Sequence, residues 1–145
     1  MNKQKPDLSY FALRLKEFLS VSFPEKLNDY KFITMRSQLA ESAYENAFRE
    51  GHSISYCTEF AESILFEKLT FSKFDLLFKI ICNEFSLVID DENIRPLALQ
   101  MLSECESVFT GYDFNEYFED SSDYDVLYTE LTGSIQIWIE EHGLQ

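Results

Sequence analysis

Apolar residues recur at helical spacing along most of this chain, most clearly near its C-terminal end. Leu127, Leu131, Ile135, Trp138 and Ile139 fall at i, i+4, i+8, i+11 and i+12, which places them on one face of an α-helix. Only four glycines and three prolines interrupt the 145 residues, and the Asn-Gly and Asp-Gly pairs typical of β-hairpins are absent. The pattern therefore predicts an all-α fold and argues against a β-sandwich or barrel.

Local start and stop signals divide the chain into about six to seven helices. Serines and acidic residues stand where helices begin, and glycines or a proline stand where they end. Pro96 is expected in the first turn of the fifth helix, where its missing N–H costs nothing. The predicted helices cover about residues 7–21, 30 or 34 to 50, 53–70, a fourth from 72 onward, a fifth whose N-terminus holds the acidic residues 90–92 and which ends at Gly111, and a last one from 122 to 143.

The apolar stripes also predict which face of each helix lies inward. In the second helix the predicted inward residues are Met35, Leu39, Ala43, Ala47 and Phe48. In the third they are Ile54, Cys57, Phe60, Ala61, Ile64, Leu65 and Leu69. In the fourth they are Phe74, Leu77, Phe78, Ile81 and Phe85, with Leu76, Ile80 and Val88 widening the stripe. This widest stripe makes the fourth helix the most central one.

Length and composition favour a single compact domain that spans residues 1–145 as an orthogonal or irregular helical bundle. Twenty-three residues are aromatic, which a disordered chain of high net charge would lack. The three cysteines Cys57, Cys82 and Cys105 form no CxxC pair and lie among apolar residues. We expect them to be reduced, buried thiols.

Negative charge is concentrated in the C-terminal third. Residues 96–145 contain 11 acidic residues and no Lys or Arg, whereas residues 1–95 contain 15 acidic residues and 12 basic ones. The local net charges are therefore −11 and −3. Such an acidic surface is typical of small proteins that stay monomeric in solution, and it is also what a basic partner would bind.

The stretch "YDFNEYFEDSSDYD", residues 112–125, holds six carboxylates and five aromatic rings. If residues 113–119 are helical, Phe114, Tyr117 and Phe118 share one face and pack inward, while the acids face solvent. Carboxylates spaced along a face resemble the phosphates of a nucleic acid strand, so they could engage the basic groove of a DNA-binding protein. The alternative is a merely solvated acidic surface. The candidate partner-binding residues are Asp113, Glu116, Glu119, Asp120, Asp123 and Asp125.

No motif for catalysis, cofactor binding or metal binding is present, and we expect no cofactor. His52 and His142 stand in turns and outside any metal-binding spacing, so we expect them to be structural or incidental. The net charge of −14 disfavours direct nucleic-acid binding, and the only basic cluster, Lys3 and Lys5, is too small for it. The N-terminus lacks the features of a signal peptide, and no apolar run approaches the ~20 residues of a membrane span. We expect a soluble, cytoplasmic protein without membrane contact.

Four strings together carry a resemblance to a known family: "LSYFALRL" at 8–15, "LTFSKFD" at 69–75, "NEF" at 83–85 and "YTELTGSIQIWIEEHGLQ" at the end. They resemble a family of small, acidic, mostly helical proteins of unknown function from Bacteroidetes-type anaerobes. Members of that family are often encoded on conjugative transposons and related mobile elements. The resemblance covers nearly the whole chain and implies a helical domain in a bacterial cytoplasm. It implies no activity and supplies no catalytic residues.

Three functional hypotheses follow. The leading one is a non-catalytic protein-interaction or accessory module, associated with a mobile element, whose acidic surface binds a basic partner. The second is an enzyme whose site matches no recognisable motif, although the sequence leans against an enzyme. The third is a self-assembling structural protein that buries exposed aromatic rings in a homodimer.

Overall fold

The computed structural model describes residues 8–143, and of Leu8 and Ser9 only the backbone. Within this range every regular element is helical, with seven α-helices and two short 3₁₀ turns, so the predicted all-α fold is confirmed. Asp7, at the predicted start of the first helix, and the pair Lys3 and Lys5 lie outside the described residues. The helices are α1 Leu8–Ser22, α2 Tyr30–Arg49, α3 Ile54–Leu65, α4 Lys73–Glu84, α5 Asp91–Glu104, α6 Glu106–Phe109 and α7 Ser122–His142, with 3₁₀ turns at Pro24–Lys26 and Phe118–Asp120.

The chain divides into two compact units, and the division falls between Thr70 and Phe71. We call them the N-terminal unit, with helices α1–α3, and the C-terminal unit, with α4–α7. Each unit has its own core of buried apolar side chains. The single domain expected over residues 1–145 stays a prediction.

In the N-terminal unit, α2 packs against both α1 and α3. The inward face predicted for α2 is wrong at three positions, because Met35 and Leu39 are 55% and 52% exposed and Phe48 is exposed as well. Small residues line the contact instead, together with Ile33 and Tyr44. The buried residues of α2 are Ile33, Ser37, Ala40, Tyr44 and Ala47, so Ala47 of the predicted face is buried, while Ala43 is half-buried.

Gly51 ends α2 as predicted. Its φ of +90° is in the left-handed region that favours glycine. The amide of Gly51 donates to the carbonyl of Phe48 and that of His52 donates to the carbonyl of Ala47, at 3.1 and 3.2 Å. These two bonds form a Schellman motif, which satisfies carbonyls that the helix end would leave free.

The third helix is shorter than predicted, since it ends at Leu65 and not near residue 70. Ser53 caps its start by accepting a hydrogen bond from the amide of Tyr56 at 3.1 Å. At the other end of α3, Nη1 of Arg36 donates to the carbonyls of Leu65 and Glu67 at 3.2 and 2.7 Å. These two bonds hold the backbone in place where it leaves the helix. Cys57, Ala61, Leu65 and Leu69 are buried as predicted, Ile64 is half-buried, and Ile54 and Phe60 are exposed against prediction.

In the C-terminal unit, α4 packs against both α5 and α7. Its expected place as the most central helix of the chain stays a prediction. Ser72 caps α4 by accepting a hydrogen bond from the amide of Asp75 at 2.9 Å. Most of the predicted inward face is buried, but Phe78 and Val88 are exposed and those two assignments are wrong. The buried residues from α4 onward include Phe74, Leu76, Leu77, Ile80, Ile81 and Phe85.

The fifth helix begins where its acidic residues predicted, since Asp90 is its N-cap and Asp91 and Glu92 occupy its first turn, where negative charge is favourable. Pro96 is the sixth residue of the helix, so its expected place in the first turn is wrong. Because proline has no N–H, the carbonyl of Glu92 lacks the usual partner four residues later. The single helix expected up to Gly111 is instead two helices, α5 and α6, with a break after Glu104. The buried residues of this region are Ile94, Ala98, Met101, Cys105 and Phe109.

The last helix follows the prediction most closely. Leu127, Leu131, Ile135 and Ile139 are buried, and Trp138 is half-buried against the same core. Gly143 ends the helix with a φ of +76°. The N-cap is Ser121, one residue before the predicted Ser122. Over residues 8–143, no helix is long and apolar enough to cross a membrane.

Candidate functional site

The candidate site is the acidic segment, which we define as residues 112–125 between α6 and the first turn of α7. Residues 113–117 are not helical and residues 118–119 belong to a 3₁₀ turn, so the single helix considered over residues 113–119 does not form. The side chain of Asn115 explains the difference, since its Oδ1 accepts a hydrogen bond from the amide of Tyr117 at 2.8 Å. This local turn competes with helix formation. The only regular element between residue 112 and the start of α7 is the 3₁₀ turn Phe118–Asp120.

Aromatic rings hold the acidic segment onto the C-terminal unit. The ring of Phe114 stacks on that of Phe71, with centroids 4.8 Å apart and planes 7° apart. Phe118 is buried and meets Phe71 and Phe114 edge-on at 5.1 and 4.8 Å. The predicted role of Phe114 and Phe118 as core anchors is therefore confirmed. Tyr117 is 69% exposed, and for this residue the prediction is wrong.

All six candidate carboxylates are exposed. Asp113 and Glu116 lie in the irregular part, Glu119 and Asp120 in the 3₁₀ turn, and Asp123 and Asp125 near the start of α7. The structure thus gathers them within one short segment but distributes them over three local conformations, not along one helical stripe. The last two also complement the positive end of the α7 dipole.

The lysines next to the acidic segment contact its rings. Nζ of Lys73 lies 5.4 Å from the ring centroid of Phe109 and 5.6 Å from that of Phe114. Lys79 donates a hydrogen bond to the Tyr124 hydroxyl at 3.3 Å, and this bond is the main reason why the pKa of Lys79 is raised. In the part of the chain that the structure describes, none of the six carboxylates forms an ion pair within 4 Å. Their charge is therefore not neutralised by salt bridges there.

Two tyrosine–carboxylate contacts join the surrounding elements, and the sequence analysis missed both. The Tyr112 hydroxyl donates to Oε1 of Glu130 on α7, and this hydrogen bond raises the pKa of Tyr112 to about 12. The Tyr128 hydroxyl donates to Glu84 on α4 at 2.8 Å, and its pKa is raised mainly by burial. No sequence motif marks such pairs, because each partner comes from a different element.

The described residues contain no group of three or more His, Cys, Asp or Glu side chains placed to hold a metal ion. The three cysteines are free thiols, with Cys57 and Cys105 buried and Cys82 half-buried. Burial raises the pKa of Cys105 to about 11, so this thiol stays protonated near neutral pH and is a poor nucleophile. His142 donates from Nδ1 to the carbonyl of Trp138 at 2.9 Å, which is a structural contact.

Comparison with known proteins gives a family without a known activity. Residues 3–144 match the family described as Domain of unknown function (DUF1896). The crystal structure of protein PG0816 from Porphyromonas gingivalis, a member of the Bacteroidetes, is 37% identical. It matches over 98% of this chain and 97% of its own, with a TM-score of 0.89. No curated protein matches the sequence. The chain belongs to the DUF1896 family.

Proposed function

We propose that the chain is a non-catalytic protein-interaction module whose acidic segment binds a basic protein. The observation that carries this proposal is the combination of six exposed carboxylates, which form no ion pair with another described residue, with a backbone anchored by stacked rings. An anchored segment loses little conformational entropy on binding, so more of the electrostatic attraction is retained as affinity.

The partner class follows from the density of negative charge in the acidic segment. Carboxylates presented along a short exposed segment imitate the phosphates of a nucleic acid strand, and a DNA-handling protein carries a basic surface for those phosphates. An accessory factor of a mobile element, acting in the bacterial cytoplasm, fits this chemistry. The lack of a membrane-spanning helix among residues 8–143 agrees with that setting.

Affinity capture from the native lysate tests the proposal when a charge-neutralised variant is compared with a matched control. In the segment variant, the acids Asp113, Glu116, Glu119, Asp120, Asp123 and Asp125 are replaced by Asn or Gln. In the control variant, six exposed glutamates elsewhere are replaced by Gln, namely Glu17, Glu25, Glu50, Glu59, Glu67 and Glu106.

Both variants lose the same six charges, so a difference between them reports position and not net charge. We expect a basic protein to be retained by the wild type and the control at low salt, and released at high salt. The segment variant should not retain it. Equal retention by all three proteins would contradict the proposal.

Self-association is a second candidate, favoured by the outer face of α2. Met35 and Leu39 are more than half exposed there, and a homodimer would bury this face. Sedimentation at increasing protein concentration tests it. A mass that rises toward twice 17.1 kDa would support a dimer, and a constant monomer mass would exclude it.

A further inference from the structure

A small apolar pocket opens between α5 and α7 in the C-terminal unit, away in sequence from the acidic segment. Its volume is about 190 Å³. Ile89 and Ile139 are nearly buried at its base, and Leu97 and Trp138 are half-buried in its walls. Pockets that enclose whole drug-sized ligands measure roughly 300–1,000 Å³. This pocket is therefore closer in size to one apolar side chain than to a complete metabolite.

Negative charge surrounds the pocket. Ile89 also lines an adjacent open hollow formed with Asp90, Asp91 and Glu92 at the start of α5. On another side, the amide of Gln100 in the pocket wall donates to Glu104 at 2.9 Å. The only basic residue of α5, Arg95, lies with its guanidinium 4.8 Å from the ring centroid of Phe74. An occupant with an apolar group and positive flanks complements this arrangement.

We propose that the α5–α7 pocket receives one apolar side chain of a basic peptide segment, with its Lys or Arg side chains against the carboxylates at the start of α5. A half-buried tryptophan in a pocket with a polar rim is a common place for the central anchor of a protein interface. The proposal does not rest on the binding role of the acidic segment, because it concerns different residues.

Trp138 is the only tryptophan in the chain, so its fluorescence reports directly on this pocket. The probe is the blocked peptide Lys-Lys-Phe-Lys-Lys, titrated into the full-length protein at low salt. Two matched peptides serve as controls, one with Ala in place of Phe and one with Gln in place of every Lys. A saturable change in Trp138 emission is expected with the probe. Each control peptide should bind at least about tenfold more weakly.

Three protein variants locate the contact. Leu97→Phe fills the pocket and should abolish the response, provided that its circular dichroism matches the wild type. The double variant D91N and E92Q should weaken binding and reduce its salt dependence. The double variant E59Q and E67Q removes the same two charges from the N-terminal unit and should bind the probe like the wild type. This last result shows that the position of the two charges, and not the net charge, decides binding of the probe.

Several outcomes would overturn the proposal. One is an equal response to the Phe peptide and its Ala control, which would mean that charge alone is recognised. Another is the absence of any response up to millimolar peptide. A third is a response to free benzyl alcohol without one to the peptide, which would indicate a small-molecule site. If Leu97→Phe does not fold, the comparison of the three peptides on the wild-type protein still decides the question.

Discussion

The two units are built from similar helices but differ sharply in charge. Residues 1–70 contain ten acidic and nine basic residues, whereas residues 71–145 contain 16 acidic and only three basic ones. The local net charges are thus −1 and −13, so nearly all of the chain's excess charge belongs to the C-terminal unit. This contrast is sharper than the division at residue 95 that the sequence alone indicated.

The two units also differ in the kind of side chain that they expose. The N-terminal unit exposes apolar side chains on the outer face of α2, and the C-terminal unit presents carboxylates on a segment anchored by rings. Apolar contacts are little weakened by salt, whereas contacts between exposed charges are screened. Salt dependence therefore distinguishes which unit a partner binds.

The largest expected effect comes from truncating one fully buried leucine in each core. Leu65→Ala and Leu131→Ala should each lower the free energy of unfolding by about 2–5 kcal/mol, because each leaves a cavity. Urea unfolding followed by far-UV circular dichroism and by Trp138 fluorescence measures both. If the chain is one cooperative domain, each substitution shifts both curves together. Trp138 lies in the C-terminal unit. If Leu65→Ala left the urea midpoint of the fluorescence curve unchanged, the single-domain prediction would be contradicted.

Two glycines, one in each unit, should respond with opposite signs to alanine. Gly51 has a φ of +90°, and Gly51→Ala should cost about 1–2 kcal/mol. Gly133 lies inside α7, where an added Cβ would meet nothing within 4 Å. Gly133→Ala should therefore stabilise the chain by about 0.5–1 kcal/mol, since Ala has the higher helix propensity. Thermal unfolding gives both values, and a loss at Gly133 would indicate that this glycine has a packing role.

The two buried serines form a smaller matched pair. Ser37 in the N-terminal unit is 0% exposed and its Oγ has no hydrogen-bond partner among the described residues, while Ser72 in the C-terminal unit is 9% exposed and caps α4. Ser37→Ala should raise the free energy of unfolding by about 1 kcal/mol, because an unsatisfied hydroxyl is removed. Ser72→Ala should lower it by about 1 kcal/mol. Similar losses for both variants would show that Ser37 has a partner when the protein is in solution.

The smallest effect is confined to alkaline pH. The bond to Glu130 raises the pKa of Tyr112 from 10.0 to about 12, so the folded state binds this proton more tightly than the unfolded state. The resulting stability is fully present below pH 10.0 and is lost as the pH rises toward about 12. Tyr112→Phe should remove that pH dependence, as followed by tyrosinate absorbance and by unfolding. Tyr117→Phe, an exposed ring of the same segment, is the control, and an equal effect of both would exclude the Glu130 contact as the cause.

Helix position could be predicted where one spacing dominates. The i, i+4 repeat of Leu127, Leu131 and Ile135 is unbroken, so α7 matched its prediction although the apolar Val126 and Ile137 are exposed on another face. In α2 the apolar residues occupy two faces. Hydrophobicity alone predicts that the face with the larger Met35 and Leu39 is the buried one. Close packing instead selected the face with Ser37 and Ala40, which is a property of the neighbouring helices and not of the local sequence.

The candidate site was only partly predictable for a similar reason. Exposure of the six acids and packing of Phe114 and Phe118 follow from side-chain polarity. The non-helical backbone depends on the Asn115 side chain, whose bond to the Tyr117 amide is one local option among several. The contacts of Tyr112 with Glu130 and of Phe114 with Phe71 join residues 18 and 43 positions apart, and single-sequence periodicity contains no information on such pairs.

The affinity of a captured basic partner as a function of salt tests the central claim most directly. The wild type, the segment variant and the six-glutamate control would be compared by calorimetry across a range of salt concentrations. We predict that the wild type and the control share a steep dependence of log Kd on log salt. The segment variant should bind at least about tenfold more weakly and with a shallower slope. Equal slopes and affinities for the two variants would show that net charge, and not the acidic segment, attracts the partner, and would contradict the claim.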